Sequence, residues 1–153
     1  MEHRLKLDQL AAMYVLGTLA AGDLPAVAVD ALEAGYDSPS LRQLASTSRF
    51  DTDGLGNLFT KTLNELGVPI PSPSEAGLEL ARRIAESITR GTVSPYDGAR
   101  QIWEEVYTRF PQLAELRPFV GFASEYEDDE VHRDVYSNLI IEESKKLLAG
   151  RGG

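Results

Sequence analysis

Three Ser-Pro pairs, Ser38-Pro39, Ser72-Pro73 and Ser94-Pro95, each stand just before apolar residues at helical spacing. Serine at an N-cap accepts from an orphan backbone N–H, and proline at the first helical position lacks a donor that would go unused there, so each pair reads as a helix start. Two carry an acid at the third helical residue, Glu75 in "SPSE" and Asp97 in "SPYD". That is the capping-box pattern, and its charge suits the positive end of the helix dipole. Gly22, Gly35, Gly67 and Gly91 each follow a periodic stretch and mark helix ends. With no alternating apolar-polar run and no Asn-Gly hairpin signal between these marks, the chain is restricted to helices.

The intervening stretches carry the 3.6-residue period. Leu7, Leu10, Ala11 and Tyr14 outline a first helix; Leu24, Val27, Ala28, Ala31 and Leu32 a second, capped by Asp23; Leu41, Leu44 and Ala45 a short third. Leu55, Leu58, Phe59, Leu63 and Leu66 form a fourth, and Leu80, Ala81, Ile84, Ala85 and Ile88 a fifth. The outer face of the fifth is kept in water by Glu79 with Arg83 and Glu86 with Arg90, acid-before-base pairs four apart. The sixth is the clearest, with Ala99, Ile102, Trp103, Val106, Tyr107 and Phe110 on one face and Trp103 at its centre. Beyond Pro111 and Pro118, Phe119, Phe122, Ala123 and Tyr126 repeat helically, and a long last helix is expected from about Glu130 to Leu148. The fold class is all-α, a single-domain helical bundle of about seven helices over residues 1–149 with a flexible tail at 150–153. "VPIPSPS", Val68 to Ser74, holds three prolines and reads as a stiff connection inside that domain.

A chain of 153 residues buries roughly two-thirds of the surface its unfolded form exposes and needs no covalent staple. The absence of cysteine removes disulfides, thiolate metal sites and a cysteine nucleophile. With 15 basic against 24 acidic residues and a net charge of −9, the composition argues against nucleic acid, whose phosphates are held by Lys and Arg. No apolar run approaches the roughly 18 residues of a membrane span, and no basic region precedes an apolar leader, so no membrane association is expected and the cytoplasm is the expected location.

"DTDGLGN", Asp51 to Asn57, imitates the start of a calcium loop, but Leu55, Phe59 and Thr62 occupy positions that must carry ligands. Asp51 or Asp53 reads instead as a helix N-cap. No phosphate-binding glycine loop and no pair of Glu-x-x-His units is present, so no cofactor, no metal ligand and no catalytic residue is assigned.

"SEYEDDEVHRD", Ser124 to Asp134, packs six carboxylates, Glu125, Glu127, Asp128, Asp129, Glu130 and Asp134, and one of two histidines into eleven positions. Asp128 or Asp129 reads as the cap of the last helix, with the following acid favouring its dipole and the rest in water. The competing reading makes the six carboxylates a surface for a basic protein partner, since complementary charge raises association rates. Trp103 is expected in the core, clustered with Tyr107, Phe110, Phe119, Phe122 and Tyr126.

"SPYDGARQIW", Ser94 to Trp103, followed by "LRPFVGFASEYEDD", Leu116 to Asp129, resembles a pattern of small all-helical bacterial proteins of actinobacterial type. The resemblance covers the C-terminal third to half of the chain. It implies a GC-rich bacterial source, to which an excess of arginine over lysine also points, and no functional residue.

The resulting expectation is a non-enzymatic interaction or regulatory module, an adaptor or toxin-neutralising protein, that binds through its acidic surface. The alternative is a small-molecule-binding or catalytic helical domain with a cleft near Trp103 and Tyr126. A homodimer through an apolar helix face is compatible with either.

Overall fold

The computed structural model describes residues 7–48 and 53–150. Among them lie eight α-helices and no strand: α1 Leu7–Leu16, α2 Leu24–Glu33, α3 Pro39–Ala45, α4 Leu55–Glu65, α5 Pro73–Arg90, α6 Pro95–Gln101, α7 Arg117–Asp128 and α8 Arg133–Ala149. The all-α fold class therefore holds. The chain divides into two compact units between Ala76 and Gly77, in the first turn of α5 and just after the proline-rich segment.

All three Ser-Pro starts form as read. Ser38 Oγ accepts from Leu41 N at 3.1 Å and Ser94 Oγ from Asp97 N at 3.2 Å. Ser72 and Glu75 close the full reciprocal box, Glu75 N donating to Ser72 Oγ at 3.2 Å and Ser72 N to Glu75 Oε1 at 2.8 Å. Gly35, Gly67 and Gly91 end their helices with positive φ, but Gly22 does not. The first helix stops earlier, at Gly17 (φ 81°), where Thr18 N reaches back to Met13 O at 2.9 Å, and Gly22 sits in a 3-10 turn, Ala21–Asp23. That turn brings Asp23 to the start of α2 already in helical conformation (φ −87°, ψ −14°), so its side chain makes no cap bond. Asp53 is not the cap of α4 either: Gly54 holds that position at φ 75°, a left-handed conformation that favours glycine. Asp51 lies outside the described residues.

In the first unit, Leu7, Ala11, Leu24, Ala28, Ala31, Leu41, Leu44, Leu55, Phe59 and Leu63 form one buried cluster drawn from α1 to α4. The Tyr14 ring meets the Phe59 ring edge-on, with centroids 5.3 Å apart. The Glu65 carboxylate, at the end of α4, accepts from both Ser40 N (3.0 Å) and Ser40 Oγ (2.6 Å), so the start of α3 is held from two sides.

In the second unit, Ile88, Ala99, Ile102, Val106, Phe110, Leu116, Phe119, Ala123, Ile140 and Leu147 are buried. The sixth periodic segment is not one α-helix. After Gln101 it widens into a π-helix over Ile102–Tyr107, with Thr108 N bonded to Trp103 O at 3.1 Å. A 3.6-residue projection does not apply inside a π segment. Trp103, central in that projection, is only half-buried, while Ile102 and Val106 take the core positions. Of the expected aromatic cluster, Phe110 and Phe119 are buried, whereas Tyr107, Phe122 and Tyr126 are half-buried. Between α7 and α8 a 3-10 turn, Glu130–His132, reverses the chain so that the two helices pack together, and the last α-helix starts at Arg133 rather than Glu130.

Candidate functional site

The six carboxylates of the acidic stretch lie in the last turns of α7, the 3-10 turn and the start of α8. Two of them, Glu127 and Asp129, accept side-chain hydrogen bonds inside the second unit, and Glu125 is exposed. Glu127, in the last turn of α7, accepts from Tyr96 Oη at 2.5 Å and from Arg100 Nη1 at 2.8 Å, both on α6. Arg100 also pairs with Glu104 one turn on. The Tyr96 hydroxyl, with the Arg100 charge behind it, holds the Glu127 carboxyl below its ordinary value. The same bond to a carboxylate raises the Tyr96 phenol.

Asp129 is the cap that the sequence predicts, though of the 3-10 turn that leads into α8. Its carboxylate accepts from His132 N at 3.3 Å, lies 2.9 Å from His132 Nδ1, and receives a longer bond from Tyr136 Oη at 3.4 Å. These contacts, His132 first, lower its pKa. Tyr136 is raised by burial first and then by the charges of Glu125 and Asp129. Asp128, Glu130 and Asp134 differ. All three are exposed, and none makes a hydrogen bond or ion pair.

The nearby cations are already engaged. Arg133 Nε donates to Tyr126 O at 3.0 Å and its guanidinium lies over the Tyr126 ring, 4.7 Å from the centroid. The Tyr96 ring also stacks with Tyr126, with centroids 4.4 Å apart and planes 12° from parallel. Tyr126 is thus engaged by both Tyr96 and Arg133, and Arg100 lies 5.0 Å from the Trp103 centroid. The rings that would line a cleft near Trp103 and Tyr126 are occupied by the protein's own side chains.

Two recesses lie elsewhere. One of about 270 Å³ is lined by Arg82, Glu115, Glu143 and Lys146, two cations and two anions that offset each other. The other, about 440 Å³ in the first unit, is lined by polar side chains including Gln43, Asn57 and Lys61. Among the described residues no group of three or more His, Asp or Glu side chains is placed to hold a metal ion, and no helix is long and apolar enough to cross a membrane.

Sequence reasoning missed the Tyr96–Glu127–Arg100 bracket. The available signal was the pairing of the "SPYDGARQIW" and "FASEYEDD" segments, which supply the two sides of the contact. The chain has no match among protein-family models, curated proteins or solved structures.

Proposed function

We propose that the protein is a non-enzymatic interaction module that docks on a basic protein through the outward carboxylates at the junction of α7 and α8. The observation that supports this reading is the division among the six acids. Glu127 and Asp129 accept side-chain hydrogen bonds within the fold, whereas Asp128, Glu130 and Asp134 make no hydrogen bond or ion pair. Like charges held close together in the folded state repel one another, so a free cluster of this kind is neutral to unfavourable for stability and is used when a cationic surface arrives.

The test compares two triple variants that remove the same charge. Asp128→Asn with Glu130→Gln and Asp134→Asn alters the outward set; Glu127→Gln with Asp129→Asn alters the inward pair, and Glu125→Gln is added there to match the charge removed. Each is immobilised beside wild type and challenged with lysate at low and at high salt, and retained proteins are identified by mass spectrometry. A basic protein held by wild type and by the inward variant at low salt, released at high salt and not held by the outward variant, is the expected result. Equal retention by both variants would sink the reading, because charge in general and not this cluster would then account for binding.

A further inference from the structure

We infer that the recess at the C-terminal end of α8 takes a small zwitterion, a free amino acid with an aliphatic side chain, whose carboxylate meets Arg82 and whose ammonium meets Glu115. The inference is independent of the acidic surface, which lies at the other end of α8. Three elements of the second unit form the recess. Arg82 comes from α5, Glu115 from the 3-10 turn Ala114–Leu116, and Glu143, Lys146 and Leu147 from the last turns of α8, with Gly150 just beyond.

The four charges in this lining are not equivalent. Lys146 Nζ lies 3.8 Å from Glu143 Oε1, one turn back on the same helix, so these two offset each other. Arg82 and Glu115 are left over. Neither side chain makes a hydrogen bond or ion pair, with the other or with any described residue. A cation and an anion that line one hollow of about 270 Å³ without joining leave a gap, which a molecule bearing both charges closes with charge-assisted hydrogen bonds at each end.

Arg82 gives the stronger reason. Its Nε is buried without a hydrogen-bond partner, although the side chain as a whole is only half-buried. A guanidinium partly withdrawn from water and left without an acceptor is unfavourable, and a carboxylate at its remaining N–H groups supplies the missing charge. A simple anion gains less, because the two carboxylates of the lining oppose it as the two cations attract it. The hollow lies at the small end of ligand sites, which suits an amino acid better than a nucleotide. Leu147, largely buried, is the apolar member of the lining and favours an aliphatic side chain on the ligand.

The experiment follows the backbone amide NMR shifts of the full chain during titration with L-leucine, and in parallel with isocaproate and isoamylamine, the same molecule without its ammonium and without its carboxylate. Leucine is expected to bind with a dissociation constant on the order of 1 mM and to shift amides around Arg82, Glu115 and Lys146. Each analogue is expected to bind roughly tenfold more weakly, and Arg82→Gln and Glu115→Gln are each expected to weaken leucine by roughly tenfold. Glu115 is exposed, so its variant reads binding even if the loss of Arg82 disturbs the fold.

Isocaproate binding as tightly as leucine would overturn the inference by making the recess a simple anion site. Leucine binding that Glu115→Gln leaves unchanged would overturn it as well. So would an absence of shifts at the recess amides up to roughly 20 mM leucine.

Discussion

At the scale of single residues, cap positions separate side chains that hold the fold from those that only occupy the right place in sequence. Ser38 is buried and its hydroxyl takes the Leu41 N–H, whereas Asp23 stands at a helix start without making a cap bond. Ser38→Ala is therefore expected to cost about 1 kcal/mol in urea unfolding, while Asp23→Ala should stay within about 0.5 kcal/mol of wild type. Glu127 makes a pH-dependent contribution of definite sign. Its folded-state pKa lies below the ordinary value of 4.5, so the stabilisation from Tyr96 and Arg100 is fully present above that value and is lost as pH falls through the lowered one. The stability difference between wild type and Glu127→Gln should accordingly hold at neutral pH and close in acid, read from urea midpoints across a pH series. A difference that persisted unchanged into acid would mean that the bracket acts through shape and not charge.

At the scale of elements, two helical glycines with opposite surroundings test the packing. A Cβ on Gly98 would come within 2.5 Å of Ile88 Cγ1, a buried side chain on α5, and Gly98→Ala should destabilise by about 1–3 kcal/mol. Nothing lies within 4 Å of a Cβ on Gly121, in the interior of α7, so Gly121→Ala should stabilise by about 0.5–1 kcal/mol. Calorimetric melting of the two variants checks both signs.

The helices themselves were legible because capping chemistry is local: a Ser-Pro pair at a helix start, or a glycine at a helix end, needs no knowledge of the rest of the fold. Where reading failed, the deciding interaction was not local. Trp103 left the core position because the segment widened into a π-helix, a change that a fixed 3.6-residue projection does not contain. Asp23 and Asp53 lost their capping roles to the backbone around Gly22 and Gly54, which set the chain direction before the side chain could act.

For the molecule as a whole, the acidic stretch was visible in sequence as a cluster but not as a division. Consecutive residues Glu127, Asp128, Asp129 and Glu130 differ in role because α6 supplies Tyr96 and Arg100 to the first, the 3-10 turn supplies His132 to the third, and the other two face water. The packing of α6 on α7 and the 3-10 turn together make that distinction, and adjacency in sequence conceals it. The tertiary structure thus converts a uniform run of charge into an internal clamp and an external surface. The most direct check on that division is the urea unfolding midpoint of the outward and inward triple variants, side by side with wild type at neutral pH and low salt. The inward variant should unfold at lower urea and the outward variant at close to the wild-type concentration, since Asp134 in the first turn of α8 favours that helix's dipole while Asp128 at the end of α7 opposes its own. An outward variant as destabilised as the inward one would show that Asp128, Glu130 and Asp134 serve the fold, and the docking surface would have no free carboxylates left to offer.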